Sequence, residues 1–313
     1  MAKSLEEKFD LTHKPTQAEP WCSLSYKEGK NVYAFIEFVN SLTNIASLNA
    51  YKQPILFRGQ ANSQWRLEPK MYRLVRGIRK EHALRMEFDS IKYFKQQAHL
   101  FLGQHLVPAP NDVGEWLGLM QHYSAPTRML DWTSSFNVAL YFATTGQPVD
   151  SDGAVWLFWV DGLYRAMEKY ADLSKEEVAD ILSSEKKFVE FGCTKAKPKI
   201  DTYDMSIKSE RMIAQQTIFT YCDELFCDHA DLIGNALMDS VQDNREFGYL
   251  FKIIISPETK RKVRQHLHKL NLCAATLFPG ADGVGRAISE IIMVQRDVFY
   301  GNEEKSSNTE RGK

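Results

Sequence analysis

Hydrophobic positions along the chain recur at two spacings, one typical of helices and one typical of strands. A spacing of three to four residues predicts helices over 31–48, 80–102 and 113–123. Short and mostly apolar runs predict buried strands over 54–60, 153–160, 212–221 and 247–255. Because these strands are dispersed and do not alternate regularly with helices, the pattern predicts a fold of the α+β class.

The spacing changes within residues 121–143. Residues 129–132 predict a short buried strand, whereas apolar residues over 138–143 recur at helical spacing. The strand should therefore become a helix at 133–135, where threonine and serine hydroxyls can cap the helix and its first N–H groups favour an anion. The density of polar side chains here exceeds what a core element needs, so we expect a functional site beside a well-capped helix.

Three further helix starts are marked by their residue types. Ser174 and Glu177 form a capping-box pattern. Ser256 precedes Pro257, which predicts a basic helix from Pro257 to about residue 270. Asp282 follows a turn and is placed to cap the last helix, a role we favour over a catalytic one.

Composition suggests one large domain with flanking segments. Residues 1–29 are polar and without period, which predicts an extended N-terminal arm. Residues 30–300 should form one domain, with a helical insertion over about 162–208 that ends in a lysine-rich loop. Residues 301–313 are charged and serine-rich, which predicts a disordered tail.

Charge and cysteine usage narrow the class of protein. The 39 basic residues balance 40 acidic ones, so no global field draws the chain to nucleic acid or membrane. Five scattered cysteines favour a reducing compartment. Cys222, Cys227 and His229 approach the spacing of metal ligands, but no second pair completes a tetrahedral set. Without a signal peptide or a long apolar run, we expect a soluble, cytoplasmic protein.

Arg58 is the first candidate for chemistry. It follows the apolar residues of the strand over 54–60 and precedes Gly59. An arginine at a strand end is often only a surface residue, but its planar fork also suits phosphate groups. A following glycine would let a ligand reach the bare backbone.

Several motifs together resemble the FRG domain family. They are Phe57-Arg58-Gly59-Gln60 with Trp65, Leu67, Pro69 and Arg73; Gln121-His122-Tyr123 with Pro126-Thr127-Arg128; Leu130-Asp131-Trp132-Thr133 with Ala139-Leu140-Tyr141-Phe142-Ala143; and Arg211, Gln215, Phe219, Leu277-Phe278-Pro279 and Asp282-Gly283. The resemblance runs from about residue 30 to 290. At Ser124-Ala125 the family more usually has a glycine, so a stiffer turn is expected here.

The FRG pattern is in turn similar to the three-part pattern of ADP-ribosyltransferases. This resemblance implies a split β-sheet core with surrounding helices, and NAD as cofactor. In such enzymes the arginine holds the phosphates or ribose, the glycine backbone clamps nicotinamide, and a serine or threonine braces the pocket. The candidate NAD-binding residues are Arg58, Gly59, Gln60, Tyr123, Arg128, Thr133 and Ser134.

The resemblance also implies a carboxylate on a third strand, which binds the ribose as nicotinamide departs. Glu210 is six residues before Gln216 and is the preferred candidate, with Gln215 as the alternative. His122 is either a general base or a packed residue at a helix end. Arg128 and Asp131 are interpreted as an ion pair that holds the Thr-Ser turn.

Three functions are consistent with this resemblance. The first is transfer of ADP-ribose from NAD to a macromolecule, as in a toxin or defence effector that has an antitoxin or regulator as partner. The second is hydrolysis of NAD, and the third is a non-catalytic module that binds a nucleotide or partner. Nucleic acid (RNA or DNA) is slightly favoured over protein as acceptor because of two local basic clusters, Lys260, Arg261, Lys262, Arg264, His266, His268 and Lys269, and Arg73, Arg76, Arg79 and Lys80.

Overall fold

The computed structural model of the chain describes residues 9–26, 55–167, 177, 180, 181, 183–194, 198–241 and 249–310. Labels number the elements of these residues in chain order. The strands are β1 Phe9–His13, β2 Trp21–Tyr26, β3 Ile55–Gln60, β4 Met129–Thr133, β5 Gly153–Trp159, β6 Ile200–Tyr203, β7 Thr217–Cys222 and β8 Leu250–Ile255. They form one 8-stranded sheet in the order β1-β2-β8-β5-β3-β4-β7-β6. Of the pairs in this sheet, β2–β8 is parallel and the others are antiparallel.

Helices surround this sheet. They are α1 Lys70–Val75, α2 Lys80–Ala98, α3 Val113–His122, α4 Phe136–Thr145, α5 Val160–Met167, α6 Glu185–Thr194, α7 Glu210–Ala214, α8 His229–Val241, α9 Pro257–Lys269, α10 Ala274–Leu277 and α11 Ala281–Glu310, with a short 3-10 helix at Gln104–Leu106. None of the described helices combines the length and apolar composition that crossing a bilayer requires.

The core has apolar layers on both faces of the sheet. Strand β5 lies in the middle, and all of its residues are buried. On one face, α4, α9, α10 and α11 pack against β3, β5 and β8. On the other face, α5 and α8 pack against β4 and β5. A further apolar cluster joins α2, α3 and α7 to Met129 of β4 and Phe219 of β7. The α+β class predicted from the hydrophobic pattern is confirmed.

The sheet is narrowest at the contact between β3 and β4. Their ladder consists of one residue pair, Phe57 with Thr133, whereas β3 pairs with β5 from Ile55 to Gln60. We expected a split sheet and find a single sheet that is nearly interrupted at this point. We call the contact around this pair the β3–β4 junction.

Most predicted elements of the central region are confirmed. The strand over 129–132 changes into helix α4 where expected, the buried strand over 153–160 is β5, and Ser256 caps α9 through the N–H of Thr259. The predicted helix over 31–48 lies outside the described residues, as do Ser174 and most of the capping-box helix of the insertion. Helix α8 and strand β6 were not predicted, and β6 lies within the expected lysine-rich loop.

Three predictions are wrong: those of an N-terminal arm, of a strand over 212–221 and of a disordered tail. The predicted arm contains β1 and β2, and β2 pairs with β8, so this segment is part of the sheet. The predicted strand over 212–221 is a short helix, α7, followed by β7 from Thr217. The predicted disordered tail from residue 301 is helical through Glu310, because α11 continues into it.

Candidate functional site

Three segments that carry the motif residues meet in space: strand β3, the end of β4, and the turn between α7 and β7. The Thr133 hydroxyl donates to the backbone carbonyl of Gln215 over 2.7 Å, and the Ser134 hydroxyl donates to the Gln216 side chain over 2.9 Å. Gln216 has φ 49, in the left-handed region that few non-glycine residues adopt. These bonds fix the end of β4 against the turn between α7 and β7, beside the β3–β4 junction.

Arg58 lies in the β3–β4 junction. Its Nη1 donates to the backbone carbonyl of Asp131 and lies 4.0 Å from the Asp131 carboxylate. The side chain is 20% exposed, and its buried Nε has no hydrogen-bond partner among the described residues. Burial lowers the pKa of Arg58, the charge of Asp131 raises it, and the charge of Arg73 lowers it. The arginine therefore links β3 to β4 beside their single ladder pair, and among the described residues Asp131 is its hydrogen-bond partner.

Asp131 is the carboxylate beside Arg58, whereas the sequence-based interpretation had paired it with Arg128. It is the exposed residue of an otherwise buried strand, with 51% of its side chain accessible. Gln121 Nε2 donates to its Oδ2 over 2.7 Å, which orients the carboxylate. The signal was available, since an aspartate within an apolar strand needs a partner or a function.

Arg128 is not part of this site. Its Nε donates to Glu87 Oε1 over 2.7 Å and its Nη2 to Glu87 Oε2. Its Nη1 donates to the carbonyls of Cys222, over 3.3 Å, and Asp223, over 2.7 Å. The predicted ion pair between Arg128 and Asp131 is wrong. The buried guanidinium of Arg128 makes four hydrogen bonds within the protein, which argues against the predicted contact with NAD.

Gly59 and Gln60 also have structural roles. A Cβ on Gly59 would lie 1.9 Å from the carbonyl oxygen of Ala139, so the glycine is needed for α4 to pack on β3. Gln60 is buried, accepts from the indole N–H of Trp156 over 2.8 Å and donates to the carbonyl of Arg66 over 3.2 Å. Close packing and core hydrogen bonding therefore account for these two residues without a ligand.

His122 and Tyr123 line a cleft of ≈ 180 Å³ between α3 and α7. Its walls are mostly apolar, and Ser209 lies on the same cleft with its hydroxyl 3.5 Å from His122 Nδ1. The volume is below the roughly 300–1,000 Å³ of pockets that enclose a whole small ligand. Burial and then the charge of Arg211 lower the pKa of His122, whereas Asp131 raises it. The cleft thus offers a neutral imidazole and room for one ring-sized group.

The predicted catalytic position of Glu210 is not at a strand. Glu210 is the first residue of α7 and is exposed, with Ser209 as the helix cap. Gln215 is buried, and its side-chain amide donates to the carbonyl of Leu277 over 2.9 Å. The strand prediction failed because the apolar run MIAQQTIFTY contains a helical turn before β7 begins. Glu210 was expected as the carboxylate of the third strand, whereas the carboxylate beside Arg58 is that of Asp131.

The basic clusters of the sequence are largely engaged within the protein. Lys260 is fully buried and donates to the carbonyls of Ala61 and Pro148, and Arg264 is buried against Asp297. In the second cluster, Arg73 donates to the carbonyl of Glu68, Arg76 pairs with the Glu68 side chain, and Lys80 with Glu224. Fewer cationic side chains of the two predicted basic clusters are therefore available to a ligand than the sequence indicated.

Comparison with known families agrees with the motifs. Residues 53–152 match the FRG domain family, and this range includes Arg58, Asp131 and the Thr-Ser turn. No curated protein and no solved structure matches the chain. The chain therefore contains an FRG domain, the family that its motifs predicted, over residues 53–152.

Proposed function

We propose that this protein binds NAD at the β3–β4 junction and transfers its ADP-ribose unit to a macromolecule. The observation that carries the proposal is the Asp131 carboxylate, 4.0 Å from the Arg58 guanidinium, where β3, β4 and the start of β7 meet. A cation for the diphosphate and a carboxylate for the ribose are the two charges that this chemistry requires. Both belong to the segment that matches the FRG family.

In this reaction the bond between ribose C1′ and the nicotinamide nitrogen breaks, and nicotinamide leaves with the electron pair. Positive charge develops on the ribose, and the Asp131 carboxylate stabilises it. A nucleophilic oxygen or nitrogen of the acceptor then bonds to C1′ and loses its proton. His122 accepts this proton, since its lowered pKa keeps the imidazole neutral near pH 7.

Arg58 and Ser134 have supporting roles in the proposed reaction. The free edge of the Arg58 fork binds phosphate oxygens, as suits a planar guanidinium. Ser134 is held by Gln216 beside the β3–β4 junction and is available to the ribose hydroxyls. The ring-sized cleft beside His122 accommodates one end of the cofactor. Nucleic acid remains the favoured acceptor, because two arginines, Arg58 and Arg211, lie near Asp131 at this site.

The test is incubation of the protein with NAD labelled in its adenylate phosphate and with total cell lysate. Label that survives protease but not nuclease identifies a nucleic-acid acceptor, and the reverse identifies a protein. Nicotinamide release without labelled macromolecule would instead favour NAD hydrolysis. If NAD neither binds nor reacts, the protein is a non-catalytic module and the proposal is wrong.

Two variants assign the carboxylate. Asp131→Asn keeps the hydrogen bond from Gln121 but removes the charge, so labelling should fall about a hundred- to a thousandfold. Glu210→Gln is the matched control and should retain labelling, because Glu210 is exposed on α7. The reverse result would return the catalytic role to Glu210.

A further inference from the structure

Two guanidinium groups from different elements contact the ring of Phe278. Arg211 of α7 and Arg286 of α11 each place the guanidinium carbon 4.7 Å from the centre of the Phe278 ring. The ring itself is 5% exposed, so the core holds it in place. Phe278 and Arg211 belong to the motifs of the chain, yet the proposed reaction leaves both without a role.

Two like charges on one ring repel each other unless a third group compensates. Burial lowers the pKa of Arg211, the charge of Asp131 raises it, the charge of Arg286 lowers it, and the charge of Asp282 raises it. Asp282 lies 3.6 Å from Arg286, and both side chains are more than half exposed. Among the described residues, no carboxylate lies within ion-pair distance of Arg211, so its donors remain available.

This arrangement borders the proposed active site. The charge of Arg211 acts on His122, and the charge of Asp131 acts on both Arg211 and Arg58. Gln215, four residues after Arg211, is bonded to Thr133 and to the carbonyl of Leu277, next to Phe278. The ring and its two arginines are thus fixed to the same turn as the β3–β4 junction.

We propose that Arg211 and Arg286 together bind a phosphate ester, as a phosphodiester or a diphosphate. Both guanidinium groups are held against the same buried ring, which reduces the side-chain entropy lost on binding. Only Arg286 has a carboxylate, Asp282, within ion-pair distance among the described residues, so a bound phosphate adds negative charge beside the pair, and each planar fork donates to its oxygens. A nucleic-acid acceptor and the diphosphate of NAD both present phosphate oxygens. Which of the two is the ligand rests on the proposed function, whereas phosphate binding by the two arginines does not.

The experiment measures two probes on the full chain: ADP-ribose by calorimetry, and a labelled single-stranded oligoribonucleotide by fluorescence anisotropy. Arg211→Ala and Arg286→Ala should each weaken binding of at least one probe by about tenfold or more. If the oligonucleotide is the ligand, each variant should also reduce the slope of log affinity against log salt by about 0.7. Loss of ADP-ribose binding alone assigns the site to the NAD diphosphate.

The matched control is Arg296→Ala, which removes an exposed arginine further along the same helix. It should leave both affinities unchanged, while Arg211→Lys, which keeps the charge without the planar fork, should restore affinity only in part. Phe278→Leu keeps an apolar core residue and removes the ring, so it should weaken binding like the arginine variants. Thermal melting of each variant checks that it is folded.

Two outcomes overturn the inference: wild-type protein that binds neither probe, or folded Arg211→Ala and Arg286→Ala variants with unchanged affinity for both. The proposed function can fail separately. Oligonucleotide binding that depends on both arginines, without nicotinamide release from NAD, would keep the phosphate site and refute the transferase. If Arg211→Ala and Arg286→Ala still label an acceptor and keep wild-type affinity for both probes, the transferase proposal stands and the phosphate site is refuted.

Discussion

Arg128, directly before β4, and Glu87 of α2 form a buried ion pair with two hydrogen bonds. The Glu87 side chain is 2% exposed and that of Arg128 11%, and Arg128 also donates to two carbonyls at the end of β7. One arginine therefore ties the strand of the candidate site to a helix and to a second strand. Its charge is fully used within the fold.

We predict that Arg128→Ala lowers the free energy of unfolding by about 3–5 kcal/mol, because it leaves the Glu87 carboxylate buried without a partner. Arg85→Ala is the control. Arg85 lies on α2, as Glu87 does, and faces Glu185 over 3.3 Å with both side chains exposed. That loss should be about 1 kcal/mol or less. Urea unfolding measures both, and equal losses would show that the Arg128 pair is not special.

Gly59→Ala should prevent stable folding or cost about 3 kcal/mol or more, because the new methyl group meets the backbone of α4. Gly285→Ala is the matched control, since a Cβ there meets no atom within 4 Å. It lies inside α11 and should gain roughly 0.5–1 kcal/mol. Expression level and thermal melting of the two variants provide the comparison. A normally stable Gly59→Ala protein would contradict the packing role of this glycine.

Ser135, and not Ser134, caps α4, because its hydroxyl accepts from the N–H of Val138 over 3.4 Å. Ser135→Ala should therefore lose about 1 kcal/mol of stability. Ser134→Ala should keep its stability but lose part of its NAD reaction, because Ser134 contacts Gln216 at the site. A melting temperature that falls only in Ser134→Ala would reverse this assignment.

His229 should make stability fall in acid. Burial lowers the pKa of His229 to about 3 from 6.5, so between these values the unfolded chain binds a proton that the folded protein does not. Its contribution is fully present above pH 6.5 and is lost as the pH falls toward 3, at about 1.4 kcal/mol per pH unit.

The measurement is the urea midpoint of wild type and His229→Gln from pH 7 downward. Glutamine can keep the hydrogen bond that His229 Nδ1 shares with Thr220 over 2.8 Å, so the variant should show a shallower decline in acid. His105→Gln, at an exposed histidine, is the control and should follow wild type. Parallel curves for wild type and His229→Gln would remove His229 as the cause.

Arg58→Ala should abolish or strongly weaken NAD binding, since each lost charge-assisted hydrogen bond is worth roughly 1.5–3 kcal/mol. The fold should survive with a small loss, because β3 keeps its ladder with β5. Calorimetric titration of NAD decides, with Arg165→Ala as a control at an exposed arginine on α5. Unchanged affinity in folded Arg58→Ala would remove this residue from the site.

Local patterns were sufficient for the elements around the site. The change of period near Thr133, the capping serines and the unbroken apolar run of β5 are properties of neighbouring residues, and each appears in the structure. The motif order also predicted that Arg58 and Thr133 would come together with a third segment, in which Glu210 was preferred over Gln215. These are cases in which propensity, period and turn chemistry agree.

Pairing between distant segments could not be predicted in this way. Glu87 lies 41 residues before Arg128, and nothing local distinguishes it from an exposed glutamate of α2. Asp131, only three residues from Arg128, was the nearer partner in sequence, but strand geometry directs them to different surroundings. The approach of Arg286 to Phe278 likewise depends on how α11 packs against the body of the protein.

The β3–β4 junction has a consequence for how the FRG segment can be isolated. Residues 53–152 contain two of the eight strands, and those two share a single ladder pair. The partners that complete them, β5 and β7, follow later in the chain. A peptide trimmed to the family boundaries would expose two hydrophobic strand edges and should aggregate. The family match covers the proposed site, while the unit able to fold on its own includes strands on both sides of it.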